Sequence, residues 1–250
     1  MSCQFLRSVL PAPELDLLRF QIAGAYEKAE AARQANGLIG INAVLPPNER
    51  FVPSASSFTL GAVLSENEVR KIFSCSEITK VLAAIRNKLG SSIVCDLSQS
   101  WIRRQYPPAQ YPSMHAPHGW HQDGALGFDF MAHADGRFPA DALLVMMTAW
   151  IALDSCGLEA PGLELLRTPI PALVPPSELS DNLIRGRFNA DNFWRPAMES
   201  GDALLFPGDI LHRTHVTPHM TKTRTSLELR FFPENKIPAG LKSDRFIPLC

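Results

Sequence analysis

Apolar positions in the first part of the chain recur at helical spacing. Leu17, Leu18, Ile22, Ala25 and Ala29 follow a three-to-four-residue period, which predicts a helix over 13–35. Pro13 suits its first turn, and Asn36-Gly37 supplies a stop. A second helix is expected over 66–89. Ser65 and Glu68 have capping-box spacing, Val69, Ile72, Phe73, Val81, Leu82 and Ile85 form an apolar stripe, and Gly90 ends it. Both read as helices packed on the outside of a larger core.

From about Ser92 onward the texture changes. Short apolar or β-branched runs over 93–97, 101–106, 143–153, 162–166, 203–206 and 225–232 alternate with turn residues. The turns are marked by Pro107-Pro108, Asp135-Gly136, Pro175-Pro176, Gly201-Asp202 and Gly208-Asp209. Many short strands with few helical runs predict a mainly β barrel or sandwich with flanking α-helices. No internal repeat, low-complexity tract or long linker divides the chain. A single domain is therefore expected over 1–250, with 1–90 as a helical support region and 91–235 as the barrel core.

Composition removes whole classes of function. At 250 residues the chain is long enough to bury a full core, and 46% hydrophobic with 20% charged residues excludes a mainly disordered protein. Lys and Arg number 24 against 25 Asp and Glu, so no cationic excess exists to neutralise phosphates, and a general nucleic-acid binder is excluded. Cys3, Cys75, Cys95, Cys156 and Cys250 are scattered without a CxxC pair. That argues against a disulfide framework or a cysteine zinc site and for a reducing compartment. No window approaches the roughly 18 apolar residues of a membrane span. The start reaches Arg7 and Pro11 without a signal-type apolar run. A soluble, cytoplasmic protein with no membrane partner is expected, and nothing in the sequence points to a protein partner.

The chemistry concentrates in Gly119-Trp120-His121-Gln122-Asp123-Gly124. Residues i and i+2 of a strand share a face, so His121 and Asp123 offer an imidazole and a carboxylate to one point. Later, Gly201–Phe206 reads as a strand, Pro207-Gly208-Asp209 as a turn, and the next strand carries His212. If that strand faces the first inside a barrel, two imidazoles and one carboxylate meet. This is the facial triad of non-haem Fe(II) oxygenases, which leaves positions open for oxygen and a co-substrate. A lone His-x-Asp is weak, because most such histidines are structural. His118 and His215 lie three positions from His121 and His212 and are rival ligands, whereas His115, His133 and His219 are not needed. A zinc hydrolase built from these histidines is a competing reading, since catalytic zinc also takes three protein ligands and a water.

Arg224, in Thr223-Arg224-Thr225-Ser226-Leu227, follows His212 and Arg213-Thr214. A guanidinium pairs with a carboxylate through two parallel bonds and stays charged, which suits the distal carboxylate of 2-oxoglutarate. Its bland alternative is a solvated strand-end charge. Trp101, Arg103 and Gln105 share one strand face and are candidate substrate contacts, Gln105 being the best polar one; sheet packing with a solvated arginine competes. The proline-rich stretch 106–117, with Tyr111 and His115, is expected to form a loop near the mouth.

Trp120–Gly124, Ala149–Asp154, Pro161–Glu164, Gly201–His212 and the Arg224 region stand in an order that resembles the phytanoyl-CoA dioxygenase-like family of Fe(II)/2-oxoglutarate oxygenases, over roughly 95–235. The resemblance implies a double-stranded β-helix, that is, a jelly-roll or cupin-like barrel. It implies His121, Asp123 and His212 as iron ligands, and Arg224 with the Thr214 hydroxyl on the distal carboxylate of 2-oxoglutarate. Trp150 and Gln122 would line the same pocket. Arg230, at the same strand parity, is the rival for the carboxylate. Fe(II), 2-oxoglutarate and O2 are implied, with oxidation of a C–H bond of a small-molecule substrate and release of succinate and CO2. Related halogenases have a small residue where Asp123 stands, so the carboxylate favours hydroxylation. Many members carry a Pro-Gly-Ser-His stretch where this chain has Leu165-Leu166-Arg167-Thr168-Pro169, which leaves the covering loop unspecified. The alternative of another class is a non-catalytic metal- or ligand-binding barrel that retains the motif.

Overall fold

The computed structural model describes residues 3–35, 50–53, 57–61, 65–97, 100–110, 117–125, 143–237 and 246–249. In chain order its elements begin with β1 (Gln4–Leu6), α1 (Ala12–Ala35), β2 (Arg50–Pro53), β3 (Ser57–Gly61), α2 (Glu66–Phe73) and α3 (Thr79–Leu89). Next come β4 (Ile93–Asp96), β5 (Trp101–Gln105), β6 (His121–Gln122), β7 (Met147–Ala152) and β8 (Gly162–Leu166). The last are α4 (Asp181–Arg187), β9 (Phe193–Trp194), β10 (Ala203–Pro207), β11 (Leu211–His215), β12 (Arg224–Pro233) and β13 (Phe246–Leu249). The Asn36-Gly37 stop, the Asp135-Gly136 turn, Tyr111, His115, His133, Cys250 and the Glu68 side chain lie outside the described residues.

The strands pair antiparallel in two sheets, the architecture of a jelly roll. The larger runs β1-β10-β7-β12-β5-β3-β2, with β4 joining β12 and β13 joining β4; the smaller runs β6-β11-β8-β9. Alternation along single strands feeds two separate cores. On β7, Ala149 and Ile151 pack with Leu18 and Ile22 of α1 and Val81 and Ile85 of α3. The intervening Trp150 and Ala152 pack with Leu204, Phe206, Leu163 and Leu165, between the two sheets. Burial of each large apolar side chain contributes roughly 1.5–3 kcal/mol, so the helices and the smaller sheet clamp opposite faces of one large sheet. Trp120, Leu166 and Leu211 close the outer face of the smaller sheet against Ile184 of α4.

The helix expected over 66–89 is broken into α2 and α3. The Ser74 hydroxyl donates to the Lys71 carbonyl at 2.7 Å and the Thr79 hydroxyl to that of Ser76, offering the backbone partners outside the helical ladder. Nor are residues 1–90 only helical: β1 adds to β10 and β3 to β5, so this region supplies strands to the larger sheet. β13, beyond 235, pairs with β4. Cys3, Cys75, Cys95 and Cys156 are unbridged.

Candidate metal centre

His121 opens the two-residue strand β6, which a short 3-10 turn, Asp123–Ala125, immediately follows. Gly124 N donates to Gly208 O at 2.9 Å, and a Cβ on Gly124 would stand only 2.9 Å from that oxygen. Two glycine turns therefore lie backbone to backbone, which brings Asp123 beside the strand carrying His212. In register, His212 on β11 faces His121 on β6. One ligand atom from each of His121, Asp123 and His212 falls within 4.8 Å of the others, a group able to hold a metal ion.

Each imidazole is oriented by its own backbone. His121 Nδ1 lies 2.8 Å from Gly119 O and His212 Nδ1 lies 3.1 Å from Ile210 O. A carbonyl only accepts, so Nδ1 carries the proton and the Nε2 lone pairs point inward. These Nε2 atoms stand 3.9 and 3.8 Å from the same Asp123 oxygen, Oδ1. Arg230 Nη2 donates to that oxygen at 3.1 Å, and the Thr148 hydroxyl donates to Oδ2. Burial alone would raise the Asp123 carboxyl, but Arg230, the two imidazoles and Thr148 hold it well below the usual carboxylate range. Desolvation in the cleft, then the adjoining His212 and His118 rings, holds His121 well below the usual histidine range, in its neutral form.

The triad forms one wall of a cleft enclosing about 310 Å³ of free space, part of it open to solvent. Thr148, Trp150, Leu163, Phe206 and Thr214 also line it, as do Arg103, Arg224 and Glu228. Arg224 is fully buried, its guanidinium 4.9 Å from the centre of the Trp150 ring, and Nη1 donates to Ser226 Oγ at 2.6 Å. Its Nε and Nη2, and the Trp150 indole nitrogen, have no hydrogen-bond partner among the described residues. Burial pushes the Arg224 pKa down to about 10, so it remains charged at neutral pH. Bare buried donors of this strength are costly unless an acceptor meets them. Donors so placed can take an oxyanion as their partner.

Of the two arginines at this parity, Arg230 is engaged by Asp123 and lies 3.6 Å from Glu228, whereas Arg224 presents bare donors to the cleft. Gln122 does not line the cleft. At odd parity between His121 and Asp123, its amide donates to Ile170 O and Ala172 O at 3.0 and 3.2 Å and accepts from Val174 N at 2.9 Å. It ties down the loop over 170–174. Trp101, Arg103 and Gln105 stand opposite Glu228, Ser226 and Arg224 on β12, and Arg103 is the one that lines the cleft. His118 stacks on His121 at 3.9 Å between ring centres but is not in the ligand group. Partial desolvation of the His118 ring, then the neighbouring Arg103 guanidinium, lowers its pKa to about 4. His215 shares the face of β11 that carries Arg213, away from the triad.

Sequence reasoning missed Glu228 and Thr148. Glu228 was signalled by the alternation in Arg224-Thr225-Ser226-Leu227-Glu228-Leu229-Arg230, where polar side chains at every second place mark one polar buried face. Thr148 meets Asp123 through a long-range pairing that no local pattern signals.

No protein-family model matches the chain, and no curated protein matches it in sequence. Solved structures share its fold. The chain aligns over 99% of its length with 93% of the epimerase SnoN in complex with Fe3+, alpha ketoglutarate and nogalamycin RO, at 14% identity and a TM-score of 0.58. It aligns over 100% of its length with 92% of the non-heme alpha ketoglutarate dependent carbocyclase SnoK from nogalamycin biosynthesis, at 14% identity and a TM-score of 0.55. EvdO2 from Micromonospora carbonacea var. aurantiaca, complexed with 2-oxoglutarate, matches 92% of this chain over 85% of its own, at 17% identity and a TM-score of 0.52. At these identities the likeness establishes the fold. No helix among the described residues is long and apolar enough to cross a membrane.

Proposed function

We propose that this chain is a non-haem Fe(II)- and 2-oxoglutarate-dependent oxygenase, of the phytanoyl-CoA dioxygenase-like kind, that oxidises a C–H bond of a small organic molecule. The observation that carries the reading is the meeting, in one cleft, of a two-imidazole, one-carboxylate group with a buried guanidinium whose Nε and Nη2 lack partners among the described residues. Two nitrogens and one oxygen on a single face suit Fe(II) and leave coordination positions open. The bare Nε and Nη2 of Arg224 match the fork of a carboxylate. A zinc hydrolase, or a barrel that binds metal alone, leaves that receptor without an occupant. SnoN and EvdO2 hold this co-substrate and SnoK depends on it, while SnoN is an epimerase and SnoK a carbocyclase.

When bound, the iron and 2-oxoglutarate supply oxygen activation and its electrons, with succinate and CO2 as the co-product pair. The protein's part is orientation. His121 and His212 present Nε2, fixed by their backbone carbonyls, and Asp123 presents Oδ1 while Thr148 and Arg230 prevent its rotation. Arg224 and the Thr214 hydroxyl take the distal carboxylate, over Trp150. Leu163 and Phe206 keep water from the wall. Asp123 fills the ligand position that a halide would need, which supports oxygenation over halogenation.

The test is succinate release in air from protein supplied with Fe(II) and 2-oxoglutarate. Iron-dependent release by the wild type and none by Asp123→Ala is expected. Arg224→Gln is expected to raise the half-saturating 2-oxoglutarate concentration roughly hundredfold, the scale of a buried charge pair that loses one partner. Release unaffected by Asp123→Ala contradicts the assignment.

A further inference from the structure

Glu228 has no part in the roles assigned so far, and Arg103 is only a candidate substrate contact of unstated chemistry, yet both face the cleft. Glu228 stands between two guanidiniums, 3.7 Å from Arg103 Nε and 3.6 Å from Arg230 Nη2. The inference below rests on the function proposed above. On that reading a divalent metal, the Asp123 carboxylate, the dianionic co-substrate and Arg224 together are neutral. Arg103, Arg230 and Glu228 remain, two cations with one anion between them. A single carboxylate leaves one positive charge unmatched in a half-buried cleft, where an unmatched charge is more costly than in water.

Geometry locates that charge. Arg230 has a second acceptor, Asp123, at 3.1 Å. Arg103 does not reach hydrogen-bond distance of Glu228, and its buried Nε has no hydrogen-bond partner among the described residues. Its Nη1 meets His118 Nδ1 at 3.3 Å, and that ring stacks on His121. In register, Arg103 on β5 stands opposite Ser226, one strand across from Arg224 and on the face turned toward the triad. Glu228 on one side and His118 on the other hold the guanidinium without satisfying it.

We propose that Arg103 binds an oxyanion carried by the substrate, a carboxylate by the match of its planar fork, so that the substrate class is a small organic acid anchored by its acid group beside the metal. Glu228 positions the Arg103 guanidinium from behind.

The test uses the protein loaded with Zn(II) and 2-oxoglutarate, which binds without turnover, and ligand pairs that differ in charge but little in shape. The pairs are para-fluorobenzoate with para-fluorobenzamide, and fluoroacetate with fluoroacetamide, with affinities read by fluorine NMR. At least one acid is expected to bind more tightly than its amide by roughly tenfold or more, the worth of one charge-assisted hydrogen bond. Arg103→Gln should abolish that preference and Arg103→Lys should keep part of it. The double variant Arg103→Gln, Glu228→Gln removes the carboxylate that the single change strands, and it should lose the preference too while keeping the wild-type melting profile.

No acid preference in the wild type, including no binding of any probe, overturns the proposal, as does a preference that survives Arg103→Gln. If Arg103→Gln instead weakens 2-oxoglutarate uptake and leaves acid preference intact, Arg103 belongs to the co-substrate and the proposal falls. A wild-type protein that takes up no 2-oxoglutarate overturns the underlying functional reading. Uptake of 2-oxoglutarate with equal binding of acid and amide overturns this inference alone.

Discussion

Asp123 is held at both oxygens, by the Thr148 hydroxyl on one and the Arg230 guanidinium on the other. Such outer contacts set the direction of a ligand oxygen and its basicity. Arg230→Gln is expected to weaken divalent-metal binding about 10–100-fold, read by competition with a metal indicator, while the protein still folds. An unchanged affinity would mean that Thr148 alone suffices. His121 and Asp123 could be read as a pair because strand parity is a local rule. The same rule places Gln122 on the far face, where it binds the 170–174 backbone, so its expected place in the pocket conflicted with parity from the start. Spacing favoured Arg224 over Arg230, but the pairing that occupies Arg230 was not legible, because it depends on which guanidinium meets a carboxylate across the barrel.

Among the elements, β11 matters most, since it carries His212 and Thr214 on one face and Arg213 on the other. Arg213 Nε donates to Glu164 on β8 at 2.7 Å, and Arg185 of α4 and Arg195 join on the same carboxylate. Glu164 is fully buried at the centre of this cluster. Burial would raise its carboxyl, but bonds from Arg195, Arg185 and Arg213 hold it below the usual range. Its contribution is therefore complete above the unfolded glutamate value, about 4.3, and is lost as pH falls through the lower folded value. Glu164→Gln should cost about 3 kcal/mol at neutral pH, the low end for a broken buried pair because solvent screens Arg185 and Arg195. The gap from wild type should narrow below about pH 4 in urea melts, as protonation removes the same charge.

Gly208 makes a second element-scale test. A Cβ there would stand 2.8 Å from Met146 Cγ and 2.9 Å from Gly124. Gly208→Ala should cost about 1–3 kcal/mol by overpacking and, by shifting the Asp123 turn, weaken metal binding as well. A destabilised variant with wild-type metal affinity would separate the turn from the site. The strands β8, β10 and β12 were legible because apolar runs flanked by Gly and Pro announce them. The break between α2 and α3 was not, because the hydroxyls of Ser74 and Thr79 override a continuous apolar stripe. The short strands β1 and β3 escaped notice because they gain their partners from remote β10 and β5, and the edge strand β2 pairs with β3.

At the scale of the molecule, two antiparallel sheets, with helices against the outer face of the larger, leave one cleft where the chemistry converges. The class of this architecture was legible from the density of short strands, but the pairing was not. Contacts such as Arg230 with Asp123 join a strand of the larger sheet to the turn that follows a strand of the smaller, and local sequence does not encode which strands meet. The most direct measurement is an anaerobic titration of the Fe(II)-loaded protein with 2-oxoglutarate, followed by visible absorption. If His121, Asp123 and His212 hold iron and the cleft takes 2-oxoglutarate beside it, a charge-transfer band is expected that saturates at one 2-oxoglutarate per iron in the wild type and is absent in Asp123→Ala. A wild-type protein that gives no band, or an Asp123→Ala protein that gives the same one, contradicts the assignment of this cleft.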